Sequence, residues 1–181
     1  MSEIAFPIEL IRTLSLALII TSVMAVEVRK LRTAAWAYMM QALLIVALLA
    51  SFGTANHALY WWAATALLTK AILIPWVLFR AIERTNRLEV APLVGFAPSV
   101  IVAALLMIGF YRLTHGQVEL LAPTELAREE VFRTNLAVAS TVFVLGLYAL
   151  LTRRDAIKTV IGLCLLENGV HRSESTRLNS S

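Results

Sequence analysis

A single cysteine, Cys164, stands in 181 residues. No internal disulfide can form, and no cysteine spacing exists for a zinc or iron–sulfur site, so any redox chemistry belongs to a partner. Charged side chains are scarce, at 15% of the chain. No Gly-rich phosphate loop, no soluble-type carboxylate pair and no metal-spaced Cys and His set can be found. A soluble-type enzyme therefore has no support, and no cofactor is expected. The opening Met-Ser-Glu-Ile lacks the basic start of a signal peptide, so the first apolar run is expected to remain uncleaved in the membrane.

What is abundant is apolar: 59% of the residues are hydrophobic and the mean hydropathy is +0.76. That is more apolar surface than a soluble core of this size consumes, and it makes lipid the expected solvent. The net charge of +4 does not point to nucleic acid. Its basic residues sit in short clusters between apolar runs and form no continuous face, which is the pattern of topology signals.

A hydrocarbon core takes about 20 helical residues, and five apolar stretches approach that length, at about 5–27, 33–53, 58–81, 91–112 and 134–152. A sixth starts at Asp155 and weakens at His171, too short for a full crossing. The expected architecture is all-α: a polytopic transmembrane helical bundle of five full spans plus one partial, forming a single domain over 1–171. Aromatic anchors suit the span ends, with Trp36 and Tyr38 on the second, and Tyr60, Trp61, Trp62 and Trp76 on the third. The polar string RSESTRLNSS at 172–181 has no periodicity. It reads as a non-native-looking tail, with the natural protein expected to continue into further membrane helix.

Lys and Arg set the orientation. Loop one carries Arg29, Lys30 and Arg32, loop three Arg80, Arg84 and Arg87, and loop five Arg153, Arg154 and Lys158. Loop two carries none, and in loop four Arg112, Arg128 and Arg133 are offset by Glu119, Glu125, Glu129 and Glu130. The odd loops are therefore expected in the cytoplasm and the N-terminus outside, with Arg153, Arg154 and Lys158 as cytoplasmic anchors. Thr124 is expected to cap a short helix in loop four.

Two ionisable residues fall where lipid should be. Lys70 sits mid-way along the third span, ~15 Å of helix from either end. Its stem is too short to bring the ammonium to the headgroups, and inserting an unpaired lysine costs about 2.5 to 3.5 kcal/mol on translocon scales. Ala63 and Ala66 precede it on one face, a small-residue stripe that lets another helix approach, so Lys70 is expected to face protein. Pro75 removes the hydrogen bond to the Ala71 carbonyl and should disturb the helix beside it. Glu167 lies ~18 Å into the sixth helix, with Cys164, Asn168 and His171 on or beside its face. Burial disfavours a charged carboxylate while a nearby ammonium favours it, so such an acid can take up and release a proton as its neighbour changes charge. Glu167, Lys70 and His171 are the candidate proton relay. The competing readings are a buried structural pair for Lys70, an interhelical hydrogen bond for Glu167, and simple packing near the outer end for His171. Glu9 and Arg12 read as a self-neutralising pair one turn apart.

The stretch VFVLGLYALLTRRDAIKTVIGLCLLENGVH, from Val142 to His171, resembles the start of the small K subunit of complex I and the small subunit of multisubunit cation/proton antiporters. It is similar, with the extra helices before it, to component E of hydrogenase-4 and formate hydrogenlyase-type complexes. NHALYWWAATALLTKAILIP, from Asn56 to Pro75, resembles the component E extension. The chain departs from the K-subunit pattern in one respect: Cys164 stands where the glutamate follows Ile-Gly-Leu, and Glu167 comes one turn later, on nearly the same face and ~4.5 Å along the helix. The resemblance implies a subunit of the bacterial or archaeal cytoplasmic membrane, without catalytic residues of its own. Its implied partners are antiporter-like and other membrane subunits of a hydrogenase complex, in addition to the bilayer. Two rivals remain: a membrane scaffold that transports nothing, and a subunit of a cation/proton antiporter.

Overall fold

The computed structural model describes residues 8–53, 57–85, 89–90, 95–117 and 130–178. Long apolar runs, interrupted only by short polar clusters, form helices because hydrocarbon leaves every backbone polar group to be satisfied within its own segment. The helices are α1 (Ile8–Glu27), α2 (Leu31–Gly53), α3 (Ala58–Thr85), α4 (Phe96–Gly116), α5 (Glu130–Thr152) and α6 (Ala156–Leu178). The first five are long and apolar enough to cross a membrane, so the chain is a multi-pass helical bundle. The short helix expected from Thr124 lies outside the described residues.

Two boundaries differ from the sequence reading for local reasons. α4 starts at Phe96, after Gly95 at φ 84, a conformation that glycine adopts without strain. Pro98 then falls in the first turn, where a missing N–H costs no helical bond. α6 does not stop at His171: its backbone stays helical to Leu178, so seven of the ten residues of the polar string belong to the helix. At its start, the Asp155 carboxylate accepts the N–H groups of Ile157 (3.0 Å) and Lys158 (3.3 Å), capping donors that would otherwise be unsatisfied.

The centre of the bundle is built by α1, α2, α5 and α6, whose facing residues Leu18, Tyr38, Val138, Leu145, Ile161 and Leu165 are fully buried. α3 packs along α2, and α4 lies outside, against α5. α5 and α6 approach most closely, through glycines. A Cβ on Gly146 would stand 2.6 Å from the Leu166 nitrogen and 2.8 Å from the Gly162 oxygen, and one on Gly169 would stand 2.7 Å from the Phe143 nitrogen. Backbone against backbone is how helices associate where no hydrophobic gain distinguishes protein from lipid.

Inside α3 the helix widens. Leu67–Leu73 is π-helical, and the Ile74 N–H reaches back five residues to the Thr69 carbonyl. The disturbance expected at Pro75 is thus present, but it lies in the turns before the proline and contains Lys70, rather than following it. The wider turn carries Lys70 and Ala71 into the protein, on the side where Ala63 is also buried.

The junctions α1–α2, α3–α4 and α5–α6 share one end of the bundle. Lys30 and Glu89 pair as an isolated antiparallel bridge, with the Val90 N–H on the Arg29 carbonyl at 3.0 Å. Lys158 reaches the carbonyls of Ala25, Val26 and Val28. This grouping is what five consecutive crossings require.

Candidate functional site

Sequence spacing gave no distance between Lys70 and Glu167. The fold supplies it: the Lys70 ammonium stands 3.3 Å from the Glu167 carboxylate and donates to the Asn168 side-chain oxygen at 2.9 Å. The same carboxylate oxygen lies 3.3 Å from Nε2 of His171, one turn along α6. The Trp62 ring stands edge-on to the His171 imidazole, with centroids 5.8 Å apart. All three candidate relay residues therefore meet at a single oxygen atom.

Burial is uneven across this site. Lys70 is 8% exposed, whereas half of the Glu167 side chain, 51%, is open. The carboxylate and His171 border a groove of about 220 Å³ between α2, α3 and α6, closed by Ile45, Leu49 and Trp62. A larger groove of about 590 Å³ lies between α4, α5 and α6, but its lining, from Phe110 and Leu113 to Phe143 and Val170, carries no ionisable side chain. Of these two grooves, the smaller one carries the groups that can move a charge. An ammonium and an imidazole on either side of one carboxylate can exchange a proton through it with small motions, since each neighbour's charge sets how readily the acid holds its own. Among the described residues no three His, Cys, Asp or Glu side chains converge as a metal site.

A second polar cluster lies at the end where the α1–α2, α3–α4 and α5–α6 junctions gather. Glu27, 5% exposed, and Arg153, 4% exposed, form an ion pair at 2.9 Å. The Ser99 hydroxyl donates to Glu27 at 3.1 Å, accepts from Arg153 at 3.0 Å and lies 2.8 Å from the Tyr148 hydroxyl. Lys158 is 1% exposed, and its ammonium donates to the carbonyls of Ala25 (2.8 Å), Val26 (3.0 Å) and Val28 (2.7 Å). Those carbonyls end α1, where the helix dipole is negative and its last acceptors lack helical partners. Of the three expected anchors, Arg153 and Lys158 hold protein rather than headgroups, and Arg154 is exposed.

Sequence reasoning missed Glu27, Ser99 and Tyr148. Only Glu27 left a trace, as an acid closing an apolar span beside a basic cluster. Glu9 and Arg12 are both exposed on α1. His57 is exposed and His115 stacks on Tyr111, both apart from the groove.

Compared with known proteins, the chain is 28% identical over 165 residues to hydrogenase-4 component E of Escherichia coli and of Shigella flexneri, covering 90% of this chain and 73% of theirs. It is 28% identical over 157 residues to an uncharacterised protein of Mycobacterium tuberculosis, covering 84% of this chain and 68% of that one. No family model matches the chain, and no solved structure does.

Proposed function

With similarity to hydrogenase-4 component E running over 90% of its length, we propose that this chain is a membrane subunit of a hydrogenase complex in the cytoplasmic (inner) membrane, and that Lys70, Glu167 and His171 form part of its intramembrane proton pathway. The observation that carries the pathway is the Glu167 oxygen held 3.3 Å from both the Lys70 ammonium and the His171 imidazole. A purely structural ion pair has no need of a half-open carboxylate at mid-membrane depth, whereas a relay needs one face toward its next donor or acceptor.

The proton moves laterally, from one side of the bundle toward the groove. Lys70, desolvated by the protein, gives its proton to Glu167 when a charge change nearby makes the ammonium costly. The neutral acid then passes it to His171 or to a group of an adjoining subunit across the groove. No bond other than those to the travelling proton forms or breaks on this chain. The adjoining subunits are antiporter-like membrane proteins, and the N-terminus faces outward with the Lys30, Arg84 and Arg154 end in the cytoplasm.

Replacing Glu167 by Gln in the assembled complex tests the pathway. Hydrogen-linked proton pumping is expected to be lost while the complex still assembles. Pumping retained at the parental rate would leave only a scaffold. Sodium dependence of transport would instead point to cation/proton antiport.

A further inference from the structure

Beyond the groove, the interior of the bundle holds polar groups that the relay does not use. Gln41 and Tyr38, both fully buried, lie one turn apart on the inward face of α2. The Gln41 amide donates to the Ser22 hydroxyl of α1 at 2.9 Å, and Ser22 donates to the Leu18 carbonyl at 2.7 Å. The Tyr38 phenol lies beside the Cys164 thiol of α6, one turn from Asn168, which accepts from Lys70. Neighbour to neighbour, the sequence Ser22, Gln41, Tyr38, Cys164, Asn168, Lys70 crosses from α1 to α3 through the centre of the protein.

This line is incompletely satisfied. The Gln41 side-chain oxygen, the Tyr38 hydroxyl and the Asn168 side-chain nitrogen are buried without a hydrogen-bond partner among the described residues. A buried amide left without a bond keeps its full desolvation penalty. Three such groups on facing helices, supplying two acceptors and two donors between them, are the polar surroundings in which internal water is held.

We propose that Gln41, Tyr38 and Asn168 hold a short chain of internal water molecules that connects Lys70 with the Ser22 side of the bundle. Ser22 is five residues before Glu27, ~7.5 Å of helix rise from the end where the α1–α2, α3–α4 and α5–α6 junctions gather. The line is a supply branch. A proton entering at the Ser22 end is taken up by one water as that water releases another toward Asn168, so the Lys70 site is reloaded from that face while Glu167 discharges into the groove. Gln41 and Asn168 orient the waters and do not themselves change protonation. The branch rests on the relay reading of Lys70 and Glu167, but its hydration does not.

Cys164 provides the test, because the only thiol in the chain lies within the line and its S–H stretching band is free of other side-chain absorption. Infrared spectra are recorded on the full chain in membranes after transfer to D2O. With the branch hydrated, the S–H band converts to S–D within minutes, and Gln41→Leu with Tyr38→Phe slows conversion about tenfold or more. An S–H band that persists for hours in the parent overturns the proposal. Rapid exchange unchanged by the two substitutions also overturns it, since water then arrives from the Glu167 groove. High-resolution imaging of the parent chain gives a reading independent of variant folding: ordered density bridging Gln41 and Asn168 supports the branch, and carbon-packed space without it rejects it. If Glu167→Gln keeps pumping while exchange is rapid, the relay falls and the hydrated line stands. Slow exchange with pumping abolished by Glu167→Gln gives the reverse.

Discussion

Replacing Arg153 by methionine strands the Glu27 carboxylate among helix ends, with the Ser99 hydroxyl as its remaining partner among the described residues. An uncompensated buried charge of this kind costs about 3 to 5 kcal/mol. Arg153→Met is therefore expected to lower the thermal midpoint of the purified chain strongly, as followed by tryptophan fluorescence. The pair Glu27→Leu with Arg153→Met is expected to regain most of the loss, since removing both charges removes the desolvation cost along with the attraction. If the double variant were no better than the single one, the ion pair would not be the source of the effect. Lys158→Met acts through a different route. It leaves the carbonyls of Ala25, Val26 and Val28 without their shared donor, and it is expected to speed hydrogen exchange in the last turn of α1 more than in the middle of α2. Both effects belong to single side chains whose roles the loop positions had hidden: a basic residue near a span end reads as a topology signal whether it points out or in.

At the scale of elements, the α5–α6 seam is set by which glycines face backbone. Gly146→Ala would place its new methyl 2.6 Å from a backbone nitrogen, and Gly169→Ala 2.7 Å from another, and neither obstacle can rotate away. Gly162→Ala meets the Ala149 methyl at 3.1 Å, a milder contact. Gly109→Ala on α4 meets nothing within 4 Å and gains up to about 1 kcal/mol from helix propensity. The expected order of thermal midpoints is thus Gly109→Ala highest, the parent next, then Gly162→Ala, with Gly146→Ala and Gly169→Ala lowest. A midpoint for Gly146→Ala equal to the parent's would mean that the two helices are further apart than described. The widened turn of α3 matters in the same way. A regular helix over Leu67–Leu73 would rotate the residues after it by about 100° against those before it, so Ala63 on one side and Ile82 on the other, both buried, would not share a face. The π-helical insertion is what lets both face inward.

For the whole molecule, the shared end of the α1–α2, α3–α4 and α5–α6 junctions fixes which exposed positions stand together, and the proposed orientation puts that end in the cytoplasm. In a Cys164→Ser background, Arg154→Cys is expected to be labelled by a membrane-impermeant maleimide only in inverted vesicles, and His57→Cys only in intact cells. Labelling with the opposite sidedness would reverse the orientation and with it the direction of the supply branch. Five crossing helices were legible because burying a backbone in hydrocarbon demands about 20 apolar residues in succession, a signal that survives any detail of packing. Lys70 and Glu167 were legible for the complementary reason, that an ionisable group in such a run stands out against its neighbours. Glu27, Gln41, Ser99 and Tyr148 were not, since polar residues in a membrane helix become informative only when a partner on another helix is known.

The sequence by itself determined that this is a multi-pass membrane protein and that a lysine stands midway along one of its crossing helices, because hydropathy and helix rise are one-dimensional quantities. Only the tertiary structure decided that Lys70 and Glu167 meet, that His171 shares their oxygen, and that Arg153 and Lys158 turn inward to close the ends of other helices. Those facts depend on helix order around the bundle and on rotation about each axis. Both are set by close contacts, such as Gly146 against Leu166 and the π turn around Lys70, which join residues far apart in the chain.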